Sequence, residues 1–211
     1  QGLRELCNEK DILMLCDEVQ CGMGRTGKWF GFQAYNIEPD ACSMAKAIGS
    51  GFPIGAILTN RKLADVFQPG KHASTFGGTP LACAAALATL QVIKNEGLLQ
   101  NAMLMGQRLQ QGLQQLVDKY AHLKEVRGKG LMLGLALDQP AKPLEERLMD
   151  MGLITLATAG NVIRFLPPLN VKPQEVDEAL DMLDDACAEW HAELDAPAAV
   201  ETPAEAPPTT A

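Results

Sequence analysis

Two adjacent acids, Asp17 and Glu18, follow the short apolar run ILMLC, and a glycine-rich loop comes directly after them. Three chemistries are compatible with parts of this stretch. The acid pair suggests a metal site at the end of a strand. Gly22, Gly24 and Gly27 match the G-x-G-x-x-G pattern of dinucleotide-binding loops, and Lys28 directly after them brings the stretch close to a phosphate-binding P-loop. The residues around the loop have to decide between these interpretations.

The context of the loop argues against both nucleotide-binding interpretations. A dinucleotide loop needs its glycines directly after a strand and at the start of a helix. Here EVQC separates the apolar run from the glycines, and the segment after them contains Gly31 and Pro39 and has no helical periodicity. A P-loop needs Ser or Thr after its lysine, and Trp29 occupies that position. An ATPase stays an alternative that nucleotide-dependent thermal stabilisation would reveal.

Lys46 suggests a different chemistry, because it lies among small and apolar residues in SMAKAIGSGFP. An amine that is removed from water loses its proton more easily and becomes a nucleophile for a carbonyl group. Pyridoxal phosphate needs such a lysine, and it needs a carboxylate that keeps its ring nitrogen protonated. Two neighbouring buried strands, one ending at Asp17 and one near Lys46, would present both groups at the carboxyl edge of a sheet. The alternative is a solvated lysine at a strand end.

The elements that position these residues follow from the hydrophobic pattern. ILMLC reads as a strand buried on both faces, and two more short strands are expected within residues 38–60. Thr79 and Pro80 predict the start of a helix, with Gly97 as its end. A connecting helix then covers residues 98–117.

The second half of the chain has a different pattern. GLMLGLAL, LITLA and VIRFL predict strands. Pro173 opens a helix whose apolar residues fall on one face, namely Val176, Leu180, Leu183, Cys187 and Trp190. From Asp195 onward the chain is rich in Ala and Pro, and we expect it to be disordered. The pattern therefore predicts an α/β part, a connecting helix, a small α+β part and a tail.

Composition excludes several classes of function. The net charge is −8, and half of it comes from four acids in the last nineteen residues, so no basic surface for nucleic acid is expected. The six cysteines are irregularly spaced without a C-x-x-C pair, which indicates buried free thiols in a reducing, cytoplasmic compartment and no metal site. No apolar run is long enough to span a membrane, and no signal peptide is evident. The first fifteen residues read as a helix running into a strand, so we expect the chain to begin inside a domain.

Four segments resemble, in order and spacing, the signatures of the class III (ornithine-type) pyridoxal-phosphate-dependent aminotransferases: DEVQCGMGRTGKWFGFQAYNIEPD, AKAIGSGFPIGA, GKHASTFGGTPLACAAA and VIRFLPPLN. The resemblance covers about residues 1–192 and is closest to the acetylornithine branch. It implies the type I fold of pyridoxal-phosphate-dependent transferases. Residues 1–97 would form the C-terminal part of the large domain, residues 98–194 the connecting helix and small α+β domain, and residues 195–211 the tail.

The resemblance implies roles for five consecutive or nearby side chains. Lys46 would join the cofactor covalently and move a proton between substrate and cofactor. Asp17 would pair with the pyridinium nitrogen. Val19 would pack against the ring, Gln20 would hydrogen-bond the ring hydroxyl, and Glu18 would flank the same site. The implied reaction transfers an amino group between N2-acetyl-L-ornithine and 2-oxoglutarate, a step of arginine biosynthesis.

Further roles are implied for residues later in the chain. In a homodimer with shared active sites, Thr75 would reach the cofactor phosphate of the partner subunit, and Ser74 would lie near the substrate. Arg164 would clamp a substrate carboxylate, because a guanidinium fork fits a carboxylate bidentately. The alternative is an ordinary surface arginine on a strand.

One departure from the family is evident. Its members are considerably longer, and their phosphate loop, ring-stacking aromatic residue and second substrate arginine have no counterpart here. We therefore expect a C-terminal portion that is inactive by itself. The amine donor stays open among acetylornithine, succinylornithine, succinyl-diaminopimelate, ornithine and 4-aminobutyrate.

Overall fold

The computed structural model of the protein describes residues 1–195. The helices in this range are α1 (Gly2–Glu9), α2 (Pro80–Asn95), α3 (Leu98–Lys119), α4 (Lys142–Asp150) and α5 (Pro173–Leu194). The strands are β1 (Leu15–Asp17), β2 (Ala41–Met44), β3 (Ala56–Thr59), β4 (Leu123–Lys129), β5 (Met132–Leu137), β6 (Leu156–Thr158) and β7 (Val162–Phe165). Short 3-10 helices cover Gly31–Tyr35, Lys46–Gly49 and Arg61–Val66. The tail predicted from residue 195 falls, apart from Asp195 itself, outside the described residues.

The first sheet has the strand order β1-β2-β3. β1 and β2 are parallel, with Asp17 level with Ser43, and β3 pairs with β2 in the antiparallel direction. The prediction that the strands before Asp17 and Lys46 are neighbours is confirmed. The prediction that ILMLC is buried on both faces is wrong, because β1 lies at the edge of the sheet and Leu15 is 68% exposed.

The second sheet is antiparallel in the order β4-β5-β7-β6, and it carries the larger core. Helices α3 and α5 pack on each other, and α3 also contacts β4 and β5. The face predicted for α5 is confirmed, since Val176, Leu183, Cys187 and Trp190 are buried and Leu180 packs against them. β6 begins three residues later than LITLA predicted, and β4 and α4 were not predicted.

A smaller apolar cluster lies under the first sheet, and it is formed by Met23, Met44, Ile48, Ala86, Ile93 and Leu98. α2 begins where it was predicted, with Thr79 before it and Pro80 in its first turn. Gly97 has φ +64°, a conformation that favours glycine, and it separates α2 from α3. Leu98 packs with the first sheet although it opens α3, so the domain boundary at residue 97 stays a prediction.

The cysteines within residues 1–195 are all free thiols. Cys42 and Cys187 are buried as expected, whereas Cys83 is exposed on α2, so the prediction of buried thiols is wrong for Cys83. Burial raises the pKa of Cys187 to about 12, which keeps this thiol protonated and unreactive. Separately, no helix in the described range is both long and apolar enough to cross a membrane.

Candidate active site

Lys46 lies two residues after the end of β2 and is the first residue of a 3-10 helix. Its backbone has φ +49°, in the left-handed region that is unfavourable for a residue with a side chain. Such strained residues concentrate at functional sites, where surrounding structure holds them. The side chain is exposed, so residues 1–195 do not themselves supply the desolvation expected from the sequence.

A cavity of about 520 Å³ opens beside Lys46. Val19 and Gln20, which follow β1, line it together with Lys46, as the motif predicts. Its remaining walls come from the glycine-rich loop, the turn after Lys46 and the segment after β7, and they include Arg25, Phe52, Pro53, Ile54 and Leu166. The cavity is therefore lined by segments that follow strands of both sheets, and it contains a primary amine and an amide.

Asp17 ends β1, and its exposed carboxylate is partly engaged. Oδ1 accepts a hydrogen bond from the Val19 N–H at 3.0 Å and a long one from the Ser43 hydroxyl at 3.4 Å. Asp17 lines a second, neighbouring cavity of about 600 Å³, together with Arg164. Asp17 and Lys46 thus lie at the ends of adjacent strands but line two different cavities. The second carboxylate oxygen of Asp17 has no hydrogen-bond partner within residues 1–195.

Glu18 is buried, and its carboxylate has a structural partner on each oxygen. The N–H groups of Gly31 and Phe32 donate to Oε2 and Oε1 at 2.8 and 3.0 Å. These contacts hold the start of the 31–35 helix under β1, because a buried carboxylate needs such donors. The prediction that Glu18 contacts the cofactor stays a prediction, and these contacts do not favour it.

The charge of Glu18 also affects three nearby thiols. Burial, and after it the charge of Glu18, raise the pKa values of Cys16, Cys21 and Cys42. These thiols therefore stay protonated near neutral pH, and nucleophilic cysteine chemistry is not favoured here.

Arg164 lies in β7 and reaches toward the first sheet. Its Nη1 donates to Gln20 Oε1 at 3.5 Å, a long and weak contact. Its Nε is buried and finds no acceptor among residues 1–195. Thr26 lines the same cavity, and its hydroxyl likewise has no partner in that range. The sequence carried no signal for Thr26, which resembles any polar loop residue. Donors of Arg164 thus remain free for a carboxylate in the cavity.

Neither Ser74 nor Thr75 lines the cavity of Lys46. Both are exposed in the segment before α2. Ser74 lines a separate cavity of about 930 Å³ together with Phe67 and His72. The structure therefore brings Lys46, Val19 and Gln20 together, places Asp17 and Arg164 beside them, and leaves Ser74 and Thr75 outside this group.

Residues 1–187 match the family model described as Aminotransferase class-III. The chain belongs to this family. It is 50% identical over 186 residues to the acetylornithine aminotransferase of Gloeobacter violaceus, and the match covers 87% of this chain and 46% of that protein. It is 46% identical over 190 residues to the acetylornithine aminotransferase of Caldanaerobacter subterraneus, covering 90% of this chain and 48% of that protein. The chain spans about half the length of these relatives.

Solved structures agree with the family assignment. An acetylornithine aminotransferase from Elizabethkingia anophelis superposes with a TM-score of 0.83 at 34% identity, over 89% of this chain and 51% of that one. The ornithine delta-aminotransferase of Plasmodium falciparum gives a TM-score of 0.86 at 33% identity, over 91% and 51% of the two chains. The predicted α/β fold of the type I pyridoxal-phosphate-dependent transferases is confirmed.

Proposed function

We propose that this chain is the part of a pyridoxal-phosphate-dependent aminotransferase that holds its lysine, and that the reaction moves an amino group between N2-acetyl-L-ornithine and 2-oxoglutarate. The observation that carries the proposal is the parallel pairing of β1 with β2, which puts Asp17 and Lys46 at the same edge of one sheet. The acetylornithine aminotransferases among the relatives support the choice of substrate.

The side chains at this edge suit the cofactor. Lys46 provides an amine, Gln20 an amide and Asp17 a carboxylate with an oxygen to spare. The unpartnered Nε of Arg164 is a donor that a substrate carboxylate would satisfy. Bound pyridoxal phosphate would supply an aldehyde carbon and an electron-withdrawing ring.

Each of these residues would have a separate role in the proposed reaction. Lys46 Nζ would hold the cofactor and carry a proton to and from the substrate carbon that bears the amino group. The Asp17 carboxylate would keep a proton on the ring nitrogen, because opposite charges stabilise each other. Gln20 would donate or accept at the ring hydroxyl, Val19 would exclude water from the ring face, and Arg164 would orient the substrate carboxylate.

The positions of Ser74 and Thr75 favour a homodimer with shared active sites. Both residues are exposed, and neither lines the cavity of Lys46 in its own chain. A residue that serves the partner's cofactor has to reach outward in this way. This inference depends on the main proposal.

The test combines the chain with pyridoxal phosphate and sodium borohydride. We expect reduction to attach the cofactor to Lys46, as located by peptide mass spectrometry, and we expect Lys46→Ala to abolish the attachment. Lys28→Ala is the matched control, since Lys28 is an exposed lysine eighteen positions earlier in the chain that does not line the cavity of Lys46. In the active enzyme, Lys46→Ala should lower the rate on the order of 10²–10⁴-fold or more. Equal labelling of the Lys46→Ala variant would show the assignment to be wrong.

An inactive chain is the second candidate, and the exposed Lys46 favours it. An exposed lysine lacks the apolar surroundings that activate an amine toward a carbonyl group. Titrating the chain alone with pyridoxal phosphate separates the candidates: stoichiometric binding with turnover supports a complete enzyme, and binding without turnover supports a half that needs more protein. A parallel assay of the five amine donors then identifies the substrate.

A further inference from the structure

Arg25 lies in the glycine-rich loop and joins this loop to the second sheet through three hydrogen bonds. Its Nη1 donates to the carbonyl oxygen of Pro167 and, at 3.4 Å, to that of Leu131. Its own backbone carbonyl accepts the N–H of Leu131 at 3.0 Å. These contacts identify the second sheet as the part of the fold to which the loop is fixed.

The two anchor points of Arg25 adjoin β7, which carries Arg164, and β5, which pairs with it. Leu131 is fully buried directly before β5, and β5 pairs with β7 so that Gly134 is level with Arg164. Pro167 follows Arg164 by three residues. Arg25 therefore holds the start of β5 and the exit of β7 at one end of this strand pair, three residues from the arginine proposed to bind carboxylate.

The contact between the glycine-rich loop and the turn at Gly130 leaves no room for a side chain. Gly130 has φ +55°, and a Cβ at this position would lie 2.7 Å from the backbone oxygen of Arg25 and 2.8 Å from the Cα of Thr26. Only glycine fits such a close approach of two backbones. Because the backbone of the loop packs directly on the turn before β5, the loop can fix the positions of β5 and β7 closely.

Arg25 also contributes to the candidate site itself. Arg25 lines the cavity of Lys46, Val19 and Gln20, and Gln20 is the side chain that accepts from Arg164. No carboxylate within residues 1–195 lies within 4.0 Å of the Arg25 guanidinium, so backbone carbonyls are its acceptors there. Burial lowers the pKa of Arg25, yet an arginine keeps its proton in proteins.

We propose that Arg25 is a positioning residue for the carboxylate clamp: it ties the glycine-rich loop to Leu131 and Pro167 and thereby sets Arg164, which lines the cavity of Asp17, against Gln20, which lines the cavity of Lys46. The inference rests on the proposed function in one respect, namely that Arg164 binds the substrate carboxylate. It assigns Arg25 no contact with substrate. Its effect on carboxylate binding has to pass through Arg164.

A double-mutant cycle tests this dependence. The dissociation constant of 2-oxoglutarate is measured by calorimetry on the full chain with pyridoxal phosphate, for wild type, Arg25→Met, Arg164→Met and the double variant. We expect Arg25→Met to weaken binding about tenfold, and to weaken it by less than twofold when Arg164 is already Met, because groups that act as a unit are not additive. Arg25→Lys should behave like Arg25→Met, since the lysine side chain is one bond shorter and its ammonium cannot reach the two carbonyls that Nη1 contacts. Lys28→Met is the control on the same loop and should bind like wild type.

Hydrogen exchange provides a readout that is independent of the ligand. Peptides covering residues 160–168 should exchange about tenfold faster in Arg25→Met than in Lys28→Met, while peptides from α5 exchange equally. If the wild-type chain binds no 2-oxoglutarate, the proposed clamp fails, and the exchange of β7 still decides the role of Arg25. Additive effects in the cycle, full rescue by Lys, or unchanged exchange at β7 would each overturn the proposal.

Discussion

Asp40 illustrates how one buried carboxylate joins separate pieces of the first sheet. It accepts from Arg4 Nη1 at 2.6 Å, from the Met14 N–H at 2.8 Å and from Asn60 Nδ2 at 2.9 Å. These partners lie on α1, before β1 and after β3. The hydrogen bond from Arg4, followed by that from Met14, lowers the pKa of Asp40 from 3.8 to about 2.

Asp40→Asn should therefore destabilise the fold in a manner that depends on pH. A carboxylate whose pKa is lower in the folded state contributes stability above its unfolded pKa, and this contribution is lost as the pH falls toward the folded value. The shift corresponds to about 2 kcal/mol at pH 7, of which about half is left at pH 3. Urea unfolding at both pH values measures it. Glu38→Gln, on an exposed neighbour, is the control, and an equal loss at pH 7 and pH 3 would contradict the assignment.

Two glycines of α3 make contrasting contacts at the level of helix packing. A Cβ at Gly106 would lie 2.4 Å from the backbone of Gly130, in the turn that Arg25 contacts. A Cβ at Gly112 would lie 2.2 Å from the end of the Leu180 side chain. The Gly130 backbone could make room for a new Cβ only if the whole turn moved. The end of the Leu180 side chain could make room by rotating.

We accordingly expect Gly106→Ala to cost about 2–3 kcal/mol through overpacking. Gly112→Ala is the matched control on the same helix, and it should cost less than about 1 kcal/mol, because the helix propensity of alanine offsets part of the strain. The free energy of unfolding of both variants, from denaturant titration, provides the comparison. Similar losses for the two variants would mean that the turn at Gly130 yields as easily as a side chain.

The elements that the sequence predicted are those with strong local signals. α2 has Thr79 and Pro80 at its start, and α5 has an apolar stripe ending at Trp190. β4 was missed because LKEVRGK is mostly charged and only Leu123 is fully buried, so pairing with β5 and contact with α3 stabilise it. Local patterns do not record such tertiary contacts.

The candidate site was predictable to a similar extent. Strand order could be inferred, so Lys46 and Gln20 come together as expected. The position of each carboxylate could not be inferred, because it depends on residues distant in sequence. Glu18 accepts hydrogen bonds from the backbone of the 31–35 helix, and Asp17 lines the same cavity as Arg164. The spacing of residues in the sequence predicts which strand a side chain follows. It does not predict which cavity that side chain lines.

At the scale of the whole molecule, one face of the first sheet is open. The strand register puts Leu15, Asp17, Ser43 and Ile57 on the same face. Leu15 is 68% and Ile57 is 56% exposed, so no element within residues 1–195 covers them. Exposed apolar surface of this kind favours association with other protein. The chain also spans only about half the length of its relatives, which is consistent with a face that further protein would cover.

The Leu15→Lys/Ile57→Lys variant should therefore reduce self-association of the isolated chain. Sedimentation velocity over a range of concentrations should show a smaller weight-average size than for wild type, and binding of a hydrophobic dye should fall with it. Ile154→Lys is the control, because Ile154 is 85% exposed but lies in the turn before β6, away from the open face. If Ile154→Lys reduces association as strongly, general charge rather than this face governs the behaviour. If the double variant associates like wild type, the face is not the surface through which copies of the chain meet.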